Sequence, residues 1–222
     1  PETPMQTPVA ASLNKAQVAD FAERMAELLD FKAGDDIEAV VRNLGGTIGY
    51  QSIWDLNDEE PGSIIIDALD KFRIILTSHT SKERDRFTIA HELGHYFFTL
   101  PLAAKAEADF VPMRATRYGS DLAEWQANWF AASFLMPEAE FRRIHNETGG
   151  DAYAIAKHFA VSASTASVRA KSLNLAGLRH IDGHVAITRI VARIPGTLSR
   201  IFISVDTVSY THLRAHETRG NL

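Results

Sequence analysis

Apolar positions first recur at helix spacing between Asn14 and Asp30, where Val18, Phe21, Ala22, Met25, Leu28 and Leu29 share a face, and Asn14 with Gln17 has capping-box spacing. A shorter helix is predicted from Asp35 or Asp36, burying Ile37, Val40 and Val41 and stopping at Gly45 and Gly46. The pattern then shortens to strands: Thr47 to Gln51, Ser63 to Ile66 and Phe72 to Thr77, separated by an acidic loop from Asp55 to Glu60 and a turn from Asp67 to Lys71. Thr80 and Glu83 have the spacing of a cap for the next helix, and Pro101 is where that helix should be over. Residues 101–120 read as a loop, long enough to serve as a wall or lid of a cleft. Further helices are predicted over Ala123 to Pro137, Glu138 to Glu147, Asp151 to Ala160, and after Val161 and Ser162. Strands followed by a helical second half define an α+β chain.

Within the helix before Pro101, FTIAHELGHYFF places His91, Glu92 and His95 as HExxH. Four helical residues advance about 400°, so the two imidazoles lie one turn apart on one face and can reach one ion. Glu92 points about 100° away from His91, where a general base acting on water at the ion belongs. Ile89, Leu93, Tyr96 and Phe97 line one side of the helix, and Phe87, Ala90, Gly94 and Phe98 surround the histidines. Two imidazoles and a carboxylate in such a setting are costly to bury without a partner, and zinc satisfies all three. The competing reading is a pair of core histidines bonded to backbone carbonyls.

With 45% hydrophobic and 23% charged residues, the 222-residue chain has an ordinary globular composition, without a secretory pattern or an apolar run long enough to span a membrane. These features place it in the cytoplasm. It has no cysteine, which excludes disulfides, thiolate nucleophiles and Cys-ligated zinc, so any zinc is held by His and carboxylate. A net charge of −5 argues against a protein that coats nucleic acid. Nothing in the sequence sets the oligomeric state.

A catalytic zinc needs a third protein ligand. AEWQANWFAASFLMP offers Glu124, with Asn128 one turn on to orient a histidine through its second ring nitrogen, and Trp129, Phe130, Phe134 and Leu135 for packing. Asp121 and Glu124 also have capping-box spacing, and Glu107, Asp109 and Asp121 compete as ligands.

HELGH followed by ExxANxFAxxxLMPE, over roughly Asn14 to Leu178, resembles the ImmA/IrrE family of zincin-like metallopeptidases. The resemblance implies a zincin-like core with a small, mostly antiparallel sheet packed on the HExxH helix. It also implies Zn2+ held by His91, His95 and Glu124, Glu92 as catalytic glutamate, and Asn128 in the outer shell. It implies, as a class, a peptidase acting on a protein substrate such as a helix-turn-helix repressor, or a non-catalytic zinc-binding regulator that binds a repressor or DNA.

The segment VSASTASVRAKSLNL has a helix-turn-helix outline carrying Arg169 and Lys171, but the family shares a similar arrangement within the peptidase body. Direct DNA binding is therefore not expected. The remaining segments are a loose lead-in over residues 1–11, a peptidase domain over 12–178 whose helical part starts near 138, and a β-hairpin extension over 179–205. The lead-in lacks an initiator Met, as a fragment does. Residues 206–222 look like translated sequencing-adapter read-through and are set aside, with His212 and His216.

Overall fold

The computed structural model describes residues 7–51, 63–68, 70–105, 113–115, 121–175 and 178. The chain divides into two units, Pro1–His180 and Ile181–Leu222, and every described residue belongs to the first. The acidic loop, most of the 101–120 stretch after the helix, the expected hairpin and the tail fall largely outside this set.

The first helix, α1, spans Lys15–Leu28 and carries the complete capping box, with Asn14 accepting from the Gln17 N–H and the Gln17 side chain reaching back. α2 spans Ile37–Asn43; Asp36 caps it, and Ile37, Val40 and Val41 are its buried face. Gly45 then turns the chain at φ +83°, where a Cβ would collide with the Asp70 carbonyl. The sheet consists of β1 (Gly46–Gln51), β2 (Ser63–Ala68), β3 (Lys71–Thr77) and β4 (Met113–Ala115), in the order β1-β3-β2-β4. β1 runs parallel to β3, whereas β2 runs antiparallel to both β3 and β4. The sheet is thus mixed, with antiparallel pairing in the majority.

α3 covers Lys82–Lys105, α4 Asp121–Leu135, α5 Glu138–Glu147, α6 Ala152–Phe159 and α7 Ala163–Ser172. Phe72 of β3 meets Tyr96 of α3 with ring centroids 4.2 Å apart, so the sheet is seated directly on the HExxH helix. On the helical side, Phe130 of α4 lies against Phe97, Phe98 and Phe21, and Phe134 stacks on Phe31. These aromatic contacts tie α1, α3 and α4 into one core.

Four local expectations change. α3 is capped by Ser81, whose hydroxyl accepts from the Arg84 N–H at 3.3 Å, while Thr80 is spent on the Thr77 carbonyl and Asp85. The helix runs through Pro101 to Lys105; a proline there removes one hydrogen bond and crowds the carbonyl a turn back, and this long helix continues regardless. Part of the expected 101–120 loop is β4, which pairs Met113 with Ile66 and Arg114 with Ile65. The described end of the lead-in, residues 7–11, is held before α1: Pro8 is buried, and the Gln126 amide accepts from Ala11 N–H at 2.8 Å and donates to the carbonyls of Ala11 and Leu13 at 2.7 and 2.9 Å.

α3 and α4 approach closely because Gly94 faces them: a Cβ at this position would stand 3.2 Å from Ala127 Cα and from Phe130 Cβ. Both neighbours belong to a fully buried helical face and have little room to retreat. Gly94→Val should therefore lower stability by about 2–3 kcal/mol, the usual range for overpacking, and weaken metal binding by spreading the two helices. Urea unfolding and zinc titration of the same protein check both effects, and a midpoint equal to wild type would contradict the first.

Candidate metal centre

The site follows from two i,i+4 rows facing each other. On α3 the row is His91 and His95; on α4 it is Glu124 and Asn128. The structure places His91 Nε2 3.1 Å from His95 Nε2, 3.2 Å from Glu124 Oε2, and His95 Nε2 3.2 Å from Glu124 Oε1. These three side chains offer ligand atoms lying within 4.8 Å of one another, an arrangement that could hold a metal ion. The separations are close to the edge of about 3.3 Å that tetrahedral zinc imposes on ligands bonded at about 2.0–2.1 Å.

The hydrogen bonding fits the same reading. His91 Nδ1–H donates to Asn128 Oδ1 at 3.1 Å, which leaves the Nε2 lone pair directed at the shared centre. Glu124 Oε1 is buried and has no hydrogen bond despite its closeness to His95, so the cluster holds an unsatisfied acceptor where a cation would sit. Burial opposes ionisation of Glu124, but its contacts with His91 and His95 override this and hold the carboxyl down at about 2. Burial likewise disfavours protonation of both imidazoles. At His91 it is outweighed by Glu124, Glu92 and Asn128, raising the pKa, whereas at His95 it prevails, helped by His91, and lowers it.

Glu92 is buried at 3% exposure and stands outside the three-residue cluster, while its charge acts on His91. α4 begins at Asp121, and Glu124, one turn in, is turned onto the histidines. Glu107 and Asp109 lie outside the described residues. Of the other histidines, His79 is exposed and His158 contacts Glu140 at 2.7 Å; His180 and His184 are not among the described residues.

α6 and α7 do have the helix-turn-helix outline, with Ser162 capping α7. Arg169 is only 5% exposed and donates to the Met136 carbonyl at 3.0 Å and Ser133 Oγ at 3.2 Å. It serves the body of the fold, and the DNA-contact reading of this residue fails on burial. Sequence spacing gave Gly94 no part beyond its place beside the histidines; the close helix contact emerges only in three dimensions.

An α+β fold with HExxH on one helix and a glutamate delivered by the next defines a metallopeptidase-like domain. Residues 59–171, just over half of the chain, match the IrrE N-terminal-like domain of peptidase family M78, and the protein belongs to that family. Among solved structures, a Mycobacterium tuberculosis transcriptional regulator is similar at TM-score 0.47 and 21% identity, over 69% of this chain and 46% of that one. The chain therefore spans less than half the length of that regulator. No curated protein sequence matches it. Among the described residues, no helix is long and apolar enough to cross a membrane.

The partner of His91 across the helix pair sets a further expectation. Asn128→Ala removes the acceptor that fixes the His91 ring, and zinc affinity should fall about 10–100-fold with the fold unchanged. Competition with a chromogenic chelator measures it; affinity equal to wild type would leave Asn128 without this role.

Proposed function

We propose that this protein is a zinc-dependent endopeptidase acting in the cytoplasm on a protein substrate, a helix-turn-helix repressor or related regulator, with the peptidase body spanning residues 12–178. The observation that carries this reading is the convergence of His91 Nε2, His95 Nε2 and the Glu124 carboxylate on one point beside the buried Glu92. The repressor as substrate class rests on family membership. His91, His95 and Glu124 would hold the ion, and Asn128 would orient His91.

Zinc, when bound, supplies Lewis acidity for the scissile carbonyl and lowers the pKa of a neighbouring water. Glu92 takes the proton of that water on its carboxylate and passes it to the departing amine. Its burial strengthens the interaction with the developing charge by excluding solvent. Asn128, by accepting from His91 Nδ1–H, keeps the imidazole in the tautomer that presents Nε2.

The substrate would lie extended along an edge strand and add main-chain hydrogen bonds. β2 and β3 are both interior, so neither offers an edge. β4 is the better edge. Thr99 donates to the His95 carbonyl at 2.8 Å and touches Met113 Sδ at 3.4 Å, which brings β4 within one helical turn of the histidines.

The deciding experiment is elemental analysis of the purified full chain together with incubation against the repressor encoded beside its gene. Stoichiometric zinc and cleavage stopped by a chelator and restored by zinc are expected. Bound zinc without turnover would favour the regulator, and metal-free protein with unaltered cleavage would remove zinc from the mechanism.

A further inference from the structure

The two rows that build the metal cluster do not end there. On α3 the row His95, His91 continues to Phe87, and on α4 the row Glu124, Asn128 continues to Ala132, with Met136 just past the helix end and bonded back to Ala132. Phe87, Asn128, Ala132 and Met136 all line an open cavity of about 480 Å³, with Ala19 of α1 and Val168 of α7 on its other sides. Asn128 is therefore shared: its oxygen holds His91, and its helix turn forms the cavity wall. A chain bound at the metal cluster has this space one helical turn away.

The chemistry of the cavity selects its occupant. Trp129, half-buried, adds an indole to the wall, and Val168 leaves 64% of its surface exposed at the rim. The one arginine at the floor, Arg169, is buried and directed at Met136, Ser133 and Glu23. Among the described lining residues Lys15 alone is exposed and charged. Ser133, Ser164, Thr165 and Ser172 add hydroxyls to walls that are otherwise mostly apolar, and a volume in the range of small-ligand pockets with such a lining favours a large uncharged side chain over a carboxylate or an ammonium group.

We propose that this cavity is the specificity pocket of the site, receiving a leucine, methionine or phenylalanine side chain adjacent to the scissile bond. The inference rests on the peptidase reading above and adds which bonds are cut. Binding energy from the buried side chain fixes the register of the substrate against the metal cluster.

The test has two readouts. Zinc-loaded full-length protein is incubated with a defined peptide library and the cut sites are read by mass spectrometry; separately, N-acetyl-leucinamide is titrated into Glu92→Gln protein and followed by the Trp129 indole resonance. Cuts should cluster at one position relative to Leu, Met or Phe, preferred over Asp by on the order of tenfold or more in kcat/KM. Ala132→Phe, which fills the cavity, should shift preference to small residues and abolish amide binding. Val168→Asp, a rim change that the fold tolerates, should raise KM for apolar substrates with zinc content unaltered. Cleavage without side-chain preference, or preference and amide binding unchanged in both variants, overturns the pocket while leaving the peptidase reading intact. Absence of all peptide cleavage sinks the peptidase reading instead; amide binding that Ala132→Phe abolishes then still supports an apolar site, and no amide binding overturns it.

Discussion

Glu92→Gln should reduce peptide hydrolysis by about 10²–10⁴-fold, the usual contribution of a positioned acid–base group, while zinc stays bound at the wild-type level. The reason lies in the division of labour along α3. His91 and His95 direct their Nε2 atoms at Glu124, whereas Glu92, one residue from His91, stands outside the ligand cluster. An amide has nearly the same volume, so the packing around this buried position survives and only the proton acceptor is lost. Fluorogenic peptide assays and elemental analysis on one preparation separate the two effects. Wild-type turnover by the variant would remove Glu92 from the chemistry; loss of zinc along with turnover would make it a ligand.

Glu124→Ala should cost more in metal affinity than the about 100-fold upper range for losing an outer partner, because it removes one of three donors. Two imidazoles on adjacent turns would remain, with no anion to balance the ion. The variant should also lose the rise in unfolding temperature that added zinc gives wild type, since only binding to the folded state stabilises it. Chelator competition and thermal melts with and without zinc provide the measurement. Unchanged zinc content would move the third ligand to another carboxylate, with Glu107 and Asp109 the first to examine.

Much of this architecture can be read from spacing alone because its causes are local. The capping box at Asn14, the cap at Asp36 and the buried triplet Ile37, Val40, Val41 fall where the pattern puts them, since each depends on a few neighbouring residues. Three of the strands were legible for the same reason. β4 was not: its three residues are too few for periodicity, and its pairing with β2 is decided by an edge some fifty residues back in the chain. The interior position of β2 and β3 was equally hidden, because strand order is a long-range property. At the metal cluster, the i,i+4 histidines were legible from helix geometry, while the choice of Glu124 over its competitors came from resemblance. What spacing could not supply is the approach of α4 to α3, which depends on the missing Cβ of Gly94.

The Gln126 amide that clasps Ala11 and Leu13 joins residues separated by 115 and 113 positions in the chain. During synthesis, the segment before α1 leaves the ribosome long before its partner does. The apolar face of α1, with Val18, Ala22 and Ala26, must wait uncovered until α4 emerges. Completion of the amino-terminal part of the fold and delivery of Glu124 to the histidines are therefore late events of the same docking step, and a nascent chain halted before α4 has neither.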